Sequence, residues 1–229
     1  MTPKAIFFDL GNTLVSYYHK DEFLPVLRHS IQACLLLLES KAIKADFEDM
    51  LDRAIAQDAG RADHRVTPIE QRLAAIFPAE ANRYMPELVA AFMEPPFATA
   101  RILPGAIELL QSLNNKGLPM LLMSNTPWGS PSSLWRQHLE DIGLAPWFQE
   151  LVFCMDVGWR KPDARIFHHA LDITGLHASE VLFLGDDPEW DVAGARGVGM
   201  PILLLDSNDK HKAADAPLIR QLSEVLDYC

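Results

Sequence analysis

Ala5-Ile6-Phe7-Phe8-Asp9-Leu10-Gly11-Asn12-Thr13 is the stretch from which the rest of the chain can be read. Four consecutive apolar residues end at an acid, and Gly11 and Asn12, both turn formers, follow closely. A run that is apolar on both faces and stops in this way is predicted to be a buried strand of a parallel sheet. In open parallel sheets ligands gather beyond the carboxyl ends of the strands, so Asp9 would be delivered to such a place.

Working outward, residues 103–205 repeat the theme. Pro104-Gly105 opens a helix that closes at Lys116-Gly117. Strands are predicted over 119–123, 150–154, 181–184 and 201–205, with helices over 131–142, 163–173 and 189–196 between them. Strands alternating with helices imply βαβ units and a parallel sheet covered on both faces. The stretch between residues 17 and 96 differs, with helical periodicity and no good strand. Phe23, Leu27, Ile31 and Leu35 share one face, as do Phe47, Met50, Leu51, Ala54 and Ile55. Thr67-Pro68-Ile69-Glu70 has the form of a capping box with proline at the first helical position. A further helix is expected through Tyr84 to Met93, and Glu94-Pro95-Pro96 is expected to break it and act as a hinge. The fold class is therefore α/β: a Rossmann-like parallel sheet with helices on both faces, formed by residues 1–16 and 97–229, with a helical domain of residues 17–96 inserted after the first strand.

Composition narrows the function. The 229 residues are 49% hydrophobic and 22% charged, as in ordinary globular proteins. Twenty Lys plus Arg against 31 Asp plus Glu leave a net charge of −11, which argues against nucleic acid or an anionic membrane as partner. Cys34, Cys154 and Cys229 are odd in number and widely spaced, a pattern of neither a disulfide framework nor a zinc site. The apolar stretch at the N-terminus is too short for a secretory segment, and the run 33–38 is far below the ~18 residues needed to span a bilayer. A soluble, cytoplasmic protein is the expectation.

The polar residues that follow the predicted strands are Asp9, Asn12 and Thr13; Ser124-Asn125-Thr126; Gly158-Trp159-Arg160-Lys161; and Gly185-Asp186-Asp187, with Asp191 five residues beyond Asp186. Taken singly, Asp9 reads as a turn former, Ser124-Asn125 and Asp186-Asp187 as helix caps and Lys161 as a surface lysine. Taken together, carboxylates from two strand ends, a hydroxyl and a lysine would converge. Oxygen ligands suit Mg²⁺, and hydroxyl and ammonium groups suit phosphate.

In these four segments the chain resembles the haloacid dehalogenase superfamily, in the subgroup with a helical cap between the first and second motifs. The likeness covers essentially the whole length. Its first motif, DxDx(T/V), corresponds to Asp9-Leu10-Gly11-Asn12-Thr13, its Ser/Thr to Ser124, its lysine to Lys161, and GDxxxxD to the segment holding Asp186 and Asp191. Four motifs in order, each at a predicted strand end, are a specific signal. The resemblance implies that Asp9 is the nucleophile, forming an aspartyl-phosphate, and that Asp9, the Gly11 carbonyl and Asp186 hold Mg²⁺. Ser124, Asn125 and Lys161 would bind the phosphoryl group of a small phosphorylated metabolite. Asp187 and Asp191 would orient the groups around the ion, with direct metal contact by Asp191 equally open. Tyr17, Tyr18 and His19 lie where a cap hinge would begin, and Trp128 and Trp159 lie in loops near the site.

The chain departs from the pattern at Gly11, where the superfamily has the Asp that serves as general acid and base. A second departure is Trp190, where an Asn often precedes the last acid of the fourth motif. Three readings follow: a Mg²⁺-dependent phosphatase, a catalytically weak phosphate- and metal-binding module, and a C–halogen hydrolase whose Asp attacks carbon without a metal.

Overall fold

The computed structural model describes residues 2–18, 22–57, 61–207 and 216–229. Strand β1 (Ala5–Phe8) is followed by the two-residue β2 (Val15–Ser16). Four helices come next: α1 (Phe23–Ser40), α2 (Phe47–Gln57), α3 (Ile69–Ile76) and α4 (Met85–Ala98). Beyond them lie β3 (Arg101–Ile102), α5 (Ala106–Asn115), β4 (Met120–Ser124), α6 (Ser132–Asp141), β5 (Glu150–Phe153) and the single turn α7 (Cys154–Val157). The chain ends with α8 (Ala164–Thr174), β6 (Val181–Gly185), α9 (Ala193–Gly197), β7 (Ile202–Leu205) and β8 (Leu218–Ile219).

The main sheet has the order β5-β4-β1-β6-β7-β8, and every pair in it is parallel. Strand alternation sends Ile6, Phe8, Leu122 and Leu184 into one core, where they meet Leu109 and Leu113 of α5 and Trp135 and Leu139 of α6. Ala5, Phe7, Leu121 and Phe183 point the opposite way, against Ile166, Phe167 and Ala170 of α8 and Ala195 of α9. The strands β1, β4, β6 and β7 are thus buried along their length because both faces are covered, as the uninterrupted Ala5–Phe8 run foretold. β1 lies between β4 and β6, where connections leave to opposite sides, so the crevice above it is the place such a sheet offers a ligand.

The helices α1 to α4 pack on one another, α1 lying along α4. Leu27, Ile31, Cys34 and Leu38 of α1 and Leu88 and Phe92 of α4 are buried in this layer. The register of α1 is slightly rotated from the expectation: Cys34 and Leu38 are fully buried, whereas Phe23 and Leu35 are half-buried. On α2, Met50, Leu51 and Ala54 are buried but Ile55 is 48% exposed. The short antiparallel pair β2–β3 joins the helical layer to the sheet, with Val15 opposite Ile102. Among the described residues no helix is long and apolar enough to cross a membrane.

Two local expectations are corrected. Thr67 does not cap α3. Pro68, extended at ψ 142°, is the last non-helical residue, and no side chain accepts a bond from the first turn. Thr67 instead packs its backbone against Gly129. Nor do Pro95 and Pro96 break α4, which continues to Ala98. A proline's fixed φ is compatible with a helix, and the loss of its N–H is offset here by packing. Pro96 is buried, Phe97 stacks on His138 at 4.3 Å, and the Thr99 hydroxyl donates to the Pro96 carbonyl at 2.7 Å to close the helix.

Candidate active site

The central strand delivers Asp9 to the crevice, and the Asp9 amide still donates to the Leu184 carbonyl at 2.8 Å, so the carboxylate stands at the rim of the sheet. The turn behind it is tied by the Leu14 and Val15 amides donating to the Leu10 carbonyl. Asn12 takes its left-handed residue, at φ 57°, and Gly11 does not need a positive φ. No heavy atom outside its chain neighbours lies within 4 Å of where a Gly11 side chain would begin. The place of the missing carboxylate is therefore taken by no other group among the described residues.

Around Asp9 the remaining strand ends close in. Ser124 Oγ, at the end of β4, donates to Asp9 Oδ1 at 3.3 Å, and Thr13 Oγ1 donates to Asp9 Oδ2 at 3.4 Å. Lys161 Nζ lies 2.5 Å from Asp9 Oδ1 and 2.6 Å from Asp191 Oδ1, with the lysine only 2% exposed. The loop bearing Lys161 is held by Asn125, whose Oδ1 accepts from the Lys161 amide at 2.8 Å and whose Nδ2 donates to the Lys161 carbonyl at 3.2 Å. Both ends of that amide are thus committed to the Lys161 main chain.

Beyond β6, Asp187 caps the following turn by accepting from the Glu189 and Trp190 amides at 2.7 and 2.9 Å. Asp191 accepts the Asp186 and Asp187 amides on Oδ2, both at 3.1 Å, and the lysine on Oδ1. That approach requires Gly185, since a Cβ there would overlap the Asp191 carboxylate. Asp187 and Asp191 therefore shape the loop from which Asp186 projects. All of the expected residues Asp9, Gly11, Ser124, Asn125, Lys161, Asp186, Asp187 and Asp191 line one cavity of about 760 Å³.

The electrostatics are those of an acid-rich floor with one cation. Burial pushes Asp186 up to about 8, reinforced by the negative charges of Asp9 and Asp191. Asp9 is likewise raised by burial to about 6, with Lys161 pulling the other way. Burial alone would lower the lysine, but Asp191 and Asp9 outweigh it and hold it above its ordinary value, fully charged. Asp9, Asp186 and Asp191 each offer an oxygen, all within 4.8 Å of one another. A buried, all-oxygen set with more negative than positive charge fits a hard divalent cation such as Mg²⁺.

The helical layer closes over this floor. The Val66 amide donates to the Gly158 carbonyl and the Arg160 amide to the His64 carbonyl, both at 3.0 Å, so Arg65 and Trp159 pair as a short antiparallel bridge. Tyr18 and Trp128 line the cavity; Tyr17 is packed edge-on to Trp135, and His19 lies outside the described residues. Sequence reading missed Arg61, Arg65, Arg72 and Arg160, which line the same cavity. Only Arg160, adjacent to Lys161, carried a hint; the others are indistinguishable in sequence from solvated helix and loop arginines.

A family model described as haloacid dehalogenase-like hydrolase matches residues 3–199. The chain is 32% identical over 213 residues to a phosphoglycolate phosphatase of Rhodospirillum rubrum, covering 89% of this chain and 79% of the relative. It is 27% identical over 206 residues to a glyceraldehyde 3-phosphate phosphatase of Methanothermobacter thermautotrophicus, covering 89% and 86%. A 2-haloacid dehalogenase from Pseudomonas syringae pv. Tomato superposes with a TM-score of 0.72 over 99% of this chain and 97% of the other, at 22% identity. That fold carries phosphatase and dehalogenase names alike, so the choice between chemistries belongs to the site.

Proposed function

Since the chain belongs to the haloacid dehalogenase-like hydrolase family, and is therefore a hydrolase, we propose that it is a Mg²⁺-dependent phosphatase. It acts on a small phosphorylated metabolite through an aspartyl-phosphate on Asp9. The observation that carries this reading is the buried contact of Asp9 with Lys161 and Ser124 at 2.5 and 3.3 Å, with Asp186 on the neighbouring strand end. The sequence relatives, both named as phosphatases, support the same class.

In the first step an Asp9 carboxylate oxygen attacks phosphorus, the bond to the leaving oxygen breaks, and the leaving group departs with that electron pair. In the second step water attacks the phosphorus of the acyl phosphate, releasing inorganic phosphate and restoring the Asp9 carboxylate. Phosphoryl transfer asks the protein mainly for positioning and charge stabilisation. Lys161 sits against Asp9 where charge on the transferring group must be matched, and Ser124 supplies a hydroxyl on the same side. Mg²⁺, held by Asp9, Asp186 and the Gly11 carbonyl, would neutralise charge on the phosphoryl oxygens. Asp191 fixes Lys161 from behind, and Asn125 fixes the main chain that carries it.

Gly11 offers no side chain to protonate the leaving group or to activate the attacking water, and no other group among the described residues occupies that place; these functions are typically worth about 10²–10⁴-fold. The proposed substrates therefore have leaving oxygens that bear negative charge well, such as anomeric, acyl or aryl phosphates. A C–halogen hydrolase would have no use for three converging carboxylates, because displacement at carbon needs no divalent ion. The test is a phosphate-release screen with Mg²⁺ and with EDTA. Metal-dependent release of phosphate is expected; dehalogenation that survives EDTA would replace this reading with its rival.

A further inference from the structure

The catalytic cavity borders a second, much smaller recess between α1 and α4, with Leu27 of α1 and Phe92 and Met93 of α4 among its walls. The two spaces share Tyr18, Phe23, Pro127 and Trp128, and among the described residues none of the charged side chains that line the catalytic cavity reaches the recess. The shared wall is therefore the apolar end of a cavity whose floor is acidic. At about 10 Å³ the recess has room for roughly one water molecule, so no part of a substrate enters it while the wall stands.

Trp128 is the member of that wall that stands between the two spaces. The Arg72 guanidinium lies over its ring at 5.6 Å and lines the catalytic cavity but not the recess. Phe92 lies 5.0 Å from the same ring and lines the recess but not the catalytic cavity. Both neighbours are themselves held, Arg72 by donating to the Gln57 carbonyl and Phe92 by burial. The backbone at Trp128 is left-handed, at φ 59° and ψ 6°, a conformation that bulky residues rarely adopt. Gly129 follows it, also left-handed, with the Thr67 carbonyl where a side chain would stand. Packing thus keeps an indole where local preference would place glycine, and residues held in this way cluster at ligand sites. Trp128 is four positions beyond Ser124, so their Cα atoms are at most about 14 Å apart, within reach of a leaving group whose phosphoryl end is at Asp9.

Resting on the phosphatase reading above, we propose that Trp128 is the specificity-determining residue for the leaving group: its indole is the apolar end wall of the catalytic cavity and limits how far an apolar leaving group extends. The scissile phosphoryl group lies at Asp9 and Lys161, the leaving group points toward the indole, and the recess behind it stays closed. Trp128 selects the substrate by size and takes no part in bond breaking.

The test uses phosphonates, whose C–P bond is not cleaved, so that binding is read apart from turnover. Wild type, Trp128→Gly and Met93→Ala, each checked for folding by circular dichroism, are titrated calorimetrically with phenylphosphonate and with biphenyl-4-ylphosphonate in the presence of Mg²⁺. The second ring is rigid, cannot fold away from the wall, and is smaller than the indole whose place it would take. Wild type is expected to bind phenylphosphonate tighter by about tenfold or more, and Trp128→Gly to reverse that order, since glycine suits the left-handed backbone. Met93→Ala enlarges the recess but leaves the indole in place, so it should keep the wild-type order. If Trp128→Gly does not fold, Trp128→Phe carries the test, with the wild-type preference expected to weaken by about threefold. Equal affinity of wild type for the two compounds, including no measurable binding of either, overturns the proposal. So does a wild-type preference that persists undiminished in the Trp128 variants, or a reversal in Met93→Ala. A reversal in Trp128→Gly without hydrolysis of any phosphate ester would leave the wall standing and remove the phosphatase reading; hydrolysis of phenyl phosphate with the order unchanged would do the reverse.

Discussion

The Lys161 ammonium lies 2.5 Å from Asp9 Oδ1, a buried ion pair between residues 152 positions apart that joins the end of the central strand to the loop beyond β5. Its worth lies in what its loss would leave. Without the lysine, Asp9 and Asp191 would face each other with no cation between them. Lys161→Met is expected to destabilise the protein by about 3–5 kcal/mol near pH 8, the usual penalty for stranding a buried charge. The loss should shrink toward pH 5, as Asp9, raised by burial to about 6, takes up a proton. Chemical denaturation at both pH values checks this; a pH-independent loss would mean that packing of the lysine stem, not charge, is responsible. Turnover should fall strongly at either pH.

A related expectation concerns metal and pH. Asp9 and Asp186 stand at about 6 and about 8 in the folded, metal-free protein, above their ordinary 3.8. Between the ordinary and the folded values the native state binds more protons than the unfolded one, so stability falls as pH rises from about 4 to about 8. A bound cation removes that handicap. The difference in melting temperature between Mg²⁺ and EDTA should therefore be small near pH 5 and largest near pH 8, by scanning calorimetry. A difference that does not grow with pH would contradict binding at these acids.

Gly11→Asp tests the leaving-group argument. Its backbone is not left-handed and the space beyond it is open, so the new side chain has room. Activity toward alkyl phosphates should rise by up to ~10²-fold, and toward aryl phosphates by much less. Equal gains on both would show that proton transfer to the leaving group is not what wild type lacks.

Gly129→Ala tests the seam between the helical layer and the sheet. Gly129 has φ +67°, and a Cβ there would overlap the Thr67 carbonyl. The segment 61–67 that lines the cavity roof would be pushed away. A stability loss of about 1–3 kcal/mol from overpacking is expected, with KM raised more than kcat is lowered. An unchanged KM in a folded variant would mean that this seam does not shape the substrate site.

The strand ends that build the floor were legible because each is an apolar run stopped by polar residues, and the order of those residues added a family likeness. What stayed hidden had no periodic signature. β2, β3 and β8 are two residues each, too short for an alternation to register. The path of α4 through Pro95 and Pro96 depends on Phe97 reaching His138, a contact forty-one positions away. The arginine wall comes from a loop, a helix and the Lys161 segment, and only tertiary structure brings Arg65, Arg72 and Arg160 to one space. The family likeness points to Asn125 as a phosphoryl ligand, whereas its hold on the Lys161 main chain is visible only in three dimensions.

The central claim is that Asp9 accepts the phosphoryl group. With no carboxylate at Gly11 to activate water, the acyl phosphate should break down slowly enough to be trapped. Wild type is mixed with an aryl phosphate and Mg²⁺, quenched in acid within one turnover, and the peptide holding Asp9 is analysed by mass spectrometry. The account predicts that this peptide gains the mass of one phosphoryl group on Asp9, and that Asp9→Asn or EDTA abolishes the gain. Phosphate release at full rate with Asp9 never modified, or undiminished turnover by Asp9→Asn, would contradict it.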